Sequence, residues 1–294
     1  MSNLSFPIVF GEVLYDCFPD GQSVLGGAPF NVAWHCHAFG LEPLLISRIG
    51  DDSAGSNVIK AMCDWGMKTE GIQIDPEHAT GRVNVSFQNN EPFYDILENC
   101  AWDFINSQSL PELNKESILY HGSLALRNSV SAHCLNVIKK TIAPFTFVDI
   151  NIRLPWWDIS NLNDFMQCSK WLKINVDEIN SIVPEYEDIK SKARYLKERL
   201  ELEYIAVTQG SSGAFATTAN HSFQVSPENN VSIVDTVGAG DAFTSILLLG
   251  LHKSWDIEKT LYRAQQFASH VVGLRGAITQ NLTFYERFIK EWKL

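Results

Sequence analysis

Val234-Asp235-Thr236-Val237-Gly238-Ala239-Gly240-Asp241-Ala242-Phe243 decides how this chain is read. Small residues and an aspartate stand directly ahead of the apolar run Ala242 to Leu251, so a strand-like segment (Val231, Ile233) meets the start of a helix. Gly238 and Gly240 let the backbone come close to a ligand. Successive free N–H groups at a helix start cradle an anion, favoured by the positive end of the helix dipole. Asp241 beside that cradle makes sense as a carboxylate that takes a proton from a hydroxyl while the amides hold developing phosphoryl charge. Taken alone, the stretch leaves open a plain glycine-rich turn with an N-terminal helix aspartate.

Outward from that stretch, strand and helix patterns alternate. Pro7 to Phe10, Leu44 to Ile49, Ile118 to Tyr120, Thr146 to Ile150, Lys170 to Asn175 and Tyr204 to Thr208 read as strands. Helical patterns fall at Ala28 to Phe39, Ser53 to Trp65, Ser131 to Lys140, Asp188 to Leu200, Ala239 to Leu251 and Ile257 to Leu274. This alternation predicts an α/β fold, a doubly wound, mostly parallel sheet. Between Gly71 and Asp103 the pattern changes. Val83, Val85 and Phe87 alternate with polar residues, Asn89-Asn90-Glu91-Pro92 turns, and Phe93 to Leu97 returns, a hairpin that projects from the main sheet. No linker or repeat divides residues 1–294, which read as one domain.

A net charge of −11 argues against nucleic acid or an anionic membrane surface as partner. It leaves a nucleotide acceptable, because amides and a bridging cation hold phosphates locally. Six scattered cysteines, including Cys168, read as reduced residues of a cytoplasmic protein, and no apolar run reaches membrane-spanning length. His35-Cys36-His37 has metal-capable side chains, but neighbours on a helix point to different faces, so core packing is the expectation.

DTVGAGDAF resembles the signature of the ribokinase-like (PfkB) carbohydrate kinases, and the D-x-N-x-R pattern at Asp149 to Arg153, with Trp156, resembles that family's fructokinase branch. Thr80-Gly81-Arg82-Val83 and Ala101-Trp102-Asp103 carry the same branch resemblance. The resemblance implies Asp241 as catalytic base, with Gly238, Ala239 and Gly240 as the anion hole. It also implies a small β lid, placed at about residues 12–25 and 71–103, that covers the sugar and offers a homodimer surface.

Several further roles follow from the same likeness. Asp16, Gly27, Asn31, Arg153 and Trp102 would hold the sugar, Trp102 as an apolar platform. Asn175 and Glu178 share a face if the chain turns helically after its strand, and resemble the family's N-x-x-E, which organises Mg2+ through water. An ordinary helix cap is the alternative there. Thr208, Gly210 and Gly213 would lie along ATP, as would Gly240, with the Gln265 to Leu274 helix, Gly276 and Ala277 bordering it. A K+ site beside Asp235 is implied as in several relatives. The expected activity is ATP-dependent phosphorylation of a sugar, fructose first. Another sugar, a sugar acid or a nucleoside is the alternative acceptor, and a non-catalytic sugar-binding protein is the rival from another class.

Overall fold

In a computed structural model, residues 5–88, 91–142, 145–153, 155–156, 166–167, 169–227 and 232–294 are described. Asn89, Asn90, Cys168 and Val231 therefore lie outside the described residues. β1 (Ser5–Phe10) runs parallel to β4 (Leu44–Gly50) on one side and to β8 (Ser117–His121) on the other. β5 (Ile72–Asp75) continues beyond β4. β9 (Phe145–Asp149), β10 (Trp171–Asn175) and β11 (Tyr204–Thr208) continue in parallel beyond β8. The antiparallel hairpin β12 (Ala214–Thr217) and β13 (Ser222–Val225) closes that edge of a nine-stranded, mostly parallel α/β sheet.

Helices cover both faces, so the central strands are apolar on both sides rather than alternating. Val9, Tyr120, Phe147 and Trp171 share one core with α1 (Ala28–Ala38), α6 (Ala239–His252), α7 (Ile257–Val271) and α8 (Leu282–Trp292). Ile8, Phe10, Leu119, Val148 and Leu172 face the opposite way, into a core shared with α3 (Ser129–Ile142) and α5 (Ile189–Arg199). α2 (Ser53–Trp65) is stopped at Gly66, as its sequence predicts, and is capped by the Asp52 side chain.

A second sheet has the order β3-β2-β6-β7, from β2 (Leu14–Cys17), β3 (Ser23–Gly26), β6 (Gly81–Gln88) and β7 (Glu91–Ile96). The two segments read as lid are thus strands of one small sheet. The chain from β1 feeds first to β4 and β5, then crosses to β8, so the winding reverses beside β1. Ligands of open α/β sheets gather at such a reversal, beyond the carboxyl ends of the strands. Ile233 is not in a strand: the described residues 232–238 are irregular, and Ile233 and Val234 are exposed. Among the described residues, no helix is long and apolar enough to cross a membrane.

Candidate active site

Gly238 caps α6 at φ 79°, a left-handed conformation that favours glycine, and no side chain caps the helix. A Cβ on Gly238 would sit 2.3 Å from the Cβ of Ala277, so the turn is packed against Ala277 without room for a side chain. The first turn of α6 keeps N–H groups free of intrahelical partners, as any helix start does. Asp241 in that turn accepts a hydrogen bond from Nδ2 of Asn31 across 2.8 Å. Burial pushes the Asp241 carboxyl up to about 6, reinforced by Asp149, while Asn31, Lys173 and Arg153 pull it down.

Around Asp241 stand residues expected from the sequence to hold the sugar. Gly27 precedes α1 with its Cα tight against the Glu12 carbonyl, which a Cβ would meet at 2.6 Å. Oδ1 of Asn31 and Oδ2 of Asp16 border the same small space over Gly26. That Asn31 oxygen is buried without a partner. The Asp16 carboxyl is raised to about 6 by burial, against the pull of Arg153. Arg153 is exposed, and its positive charge acts on Glu12, Asp16 and Asp241 together.

The strand ends beneath supply a buried ionic layer. Nζ of Lys173 lies 3.0 and 3.1 Å from the two Asp149 oxygens, and Oγ1 of Thr244 donates to Asp149. A Cβ on Gly240 would come within 3.3 Å of the same Nζ, which places this cation directly under the glycine turn. Asn175 and Glu178 form a capping box at the start of α4 (Val176–Ile182). Both Glu178 oxygens accept backbone N–H groups, from Ile152 at 2.7 Å and Asn175 at 2.8 Å. The helix cap is real, and its carboxylate still lies in the electrostatic reach of Lys173.

On the other side of Gly240 opens a cavity of about 360 Å³, lined by Thr208, Gly210, Gly213, Gly240, Gln265 and Ser269 among others. That size suits a small-molecule ligand. Asp235, in the chain between the lining residues Ile233 and Thr236, accepts from the Val237 and Gly276 backbones at 3.0 Å each.

Trp102 departs from the expected platform. It is 0% exposed, and Arg127 covers its ring at 4.1 Å while stacking on Trp156 at 4.4 Å. Arg127 also pairs with Asp103 at 2.8 Å. The branch-level residues Trp102, Asp103 and Trp156 therefore build one buried cation–π and ion-pair cluster, because an arginine between two indoles is worth more desolvated than exposed. His35 and His37 bond to backbone carbonyls, in keeping with core packing. Glu12, Lys173, Thr244 and Arg127 were not signalled by motif. Lys173 and Thr244 reach Asp149, and Arg127 reaches Asp103, only through tertiary packing.

A model of the pfkB family carbohydrate kinases matches residues 13–283. The chain is 28% identical to the probable fructokinase-5 of Arabidopsis thaliana, over 92% of this chain and 90% of that one. It is 30% identical to a fructokinase of Klebsiella pneumoniae, over 83% of each. It is 26% identical to the aminoimidazole riboside kinase of Salmonella typhimurium, over 92% and 90%. In fold it is similar to a fructokinase double mutant of Vibrio cholerae O395 bound to fructose, ADP and a potassium ion, with TM-score 0.83 and 22% identity over 97% and 99% of the chains.

Proposed function

The chain belongs to the pfkB family of carbohydrate kinases, and on that premise we propose that it transfers the γ-phosphoryl group of ATP to a primary hydroxyl of fructose. One observation carries the reading: Asp241, held by Asn31, stands between the acceptor-side polar groups and the cavity that Gly240 lines. Asp241 takes the hydroxyl proton as the sugar oxygen bonds to the γ-phosphorus and the bond to the bridging oxygen of ADP breaks. The amides of Gly238, Ala239 and Gly240 offset the charge on the transferring oxygens, with Lys173 adding positive charge below. Asp16, Gly27, Asn31 and Arg153 orient the sugar. The small sheet closes over it and excludes water that would hydrolyse ATP.

ATP fits beside Thr208, Gly210 and Gly213. Among the described residues no group of three or more His, Cys, Asp or Glu is placed to hold a metal, so a protein cage for Mg2+ does not fit. A hydrated ion fits, with Asn175 and Glu178 reaching it through water, because both Glu178 oxygens already serve backbone donors. When bound, Mg2+ neutralises charge on the phosphates. A K+ beside Asp235 fits as a counter-charge where backbone N–H groups already orient the carboxylate.

The acceptor side is acidic. Glu12, Asp16 and Asp241 outnumber Arg153, the cation that acts on all three. An uncharged polyol suits that balance better than a sugar acid or sugar phosphate, which like charges would repel. A nucleoside is the second reading, favoured by the likeness to the aminoimidazole riboside kinase. ADP release measured over fructose, other sugars, a sugar acid and nucleosides tests both. Two copies pair through the outer face of the small sheet, which sedimentation tests.

A further inference from the structure

The four residues from Gly276 to Thr279 carry no regular structure, yet one of them, Ala277, is the wall against which Gly238 rests. Two side chains of α1 hold them. Ring Nε2 of His35 lies 3.0 Å from the Ala277 carbonyl, and Nε1 of Trp34 donates to the Thr279 carbonyl at 3.0 Å. His35 is 0% exposed, and its Nδ1 meets the Tyr285 hydroxyl at 3.0 Å. A carbonyl only accepts, so Nε2 carries the proton and Nδ1 accepts from Tyr285. Burial pushes the imidazole down to about 4, which keeps one neutral tautomer at physiological pH. Ala277 then packs on Gly238, and the Gly276 N–H donates to Asp235 at 3.0 Å. One turn earlier on the same helix, Asn31 holds Asp241.

We infer that His35 is a positioning residue for the phosphoryl-binding turn: it holds Ala277 against Gly238, so that α1 sets both the base and the amides around it. A merely structural histidine would stabilise α1 as a whole. A strut acts locally, on a loop whose order it supplies. The consequence for turnover rests on the kinase reading; the strut itself does not.

Amide hydrogen exchange on the full chain separates these ideas. His35→Leu should raise exchange of the peptides covering residues 236–242 and 276–279 by about tenfold, with Ser53–Trp65 unchanged. His35→Gln, which keeps an N–H donor, should recover part of the protection. Unchanged exchange at 236–242, or an equal rise in Ser53–Trp65, would overturn the strut. If His35→Leu fails to fold, Ala277→Gly removes the methyl that touches Gly238 and should give the same local rise; no rise there also overturns the idea. In turnover, His35→Gln should lower kcat by about tenfold while the sugar KM stays level, because orientation and not binding is lost. A wild type silent on every acceptor would count against the kinase reading alone, since exchange reads the strut without turnover.

Discussion

Nδ2 of Asn31 donates to Oδ2 of Asp241 across 2.8 Å, joining α1 to α6 over 210 residues of sequence. The bond commits one carboxylate oxygen and leaves the other to take a proton. Asp241→Asn should therefore keep sugar and ATP binding and lose about 10²–10⁴-fold in kcat. Calorimetry and steady-state rates on the same preparation check this. Near-normal turnover would remove Asp241 from the role of base.

The base must be ionised to work. Its carboxyl is raised to about 6 by burial and Asp149, so the ionised fraction is complete well above that value and falls as pH drops through it. A profile of kcat/KM should be level from about pH 8 to 7 and fall roughly tenfold per pH unit below about 6. Asp16, raised to about 6 by burial, steepens the same limb. A limb centred near 4 would mean that neither group is desolvated as described.

Gly238→Ala forces a Cβ to within 2.3 Å of Ala277 at a left-handed φ of 79°. The backbone alone costs about 1–2 kcal/mol, and the turn must move to relieve the contact. The expected result is a loss of about 10²-fold or more in kcat with sugar affinity little changed, checked by single-turnover kinetics.

Glu12 is 3% exposed, and its Oε2 is buried without a partner. Burial raises its carboxyl from 4.5 to about 7. A carboxyl raised in the folded state adds no penalty below its unfolded pKa and its full penalty above the folded one. Stability is thus lost as pH rises from about 4.5 to 7, by about 3 kcal/mol at 1.36 kcal/mol per unit. Glu12→Gln should melt higher than wild type at pH 8 and match it at pH 4.5. A lower melting point at pH 8 would show that the charge is compensated.

The glycine turn at Gly238 to Asp241, the parallel strands and the helices that follow them were legible because each signal is local. Gly66 ends the second helix as read from sequence, whereas its Asp52 cap shows only in the fold. The small sheet was legible as two lid segments, but the pairing of Leu14–Cys17 with Gly81–Gln88 is long-range and left no periodic mark in four residues. Ser222–Val225 and Ile72–Asp75 were missed for the same reason, and the closing helix Leu282–Trp292 was passed over although its sequence is amphipathic. Ile233 reads as strand by its neighbours' β-propensity, yet the described residues 232–238 are irregular. Lys173 looks like an ordinary strand residue until register sets it beside Asp149. Trp102 has the chemistry of a platform, and only packing shows Arg127 already on its face.

The central claim is most directly tested by ADP release from ATP with Mg2+ and fructose, wild type against Asp241→Asn, beside a panel of other sugars, a sugar acid and nucleosides. Fructose-dependent release should exceed that with every other member of the panel and fall about 10²–10⁴-fold in the variant. Turnover preferring a nucleoside would contradict the acceptor. No turnover with any member, by protein that still binds ATP and sugar, would contradict the kinase reading of this site.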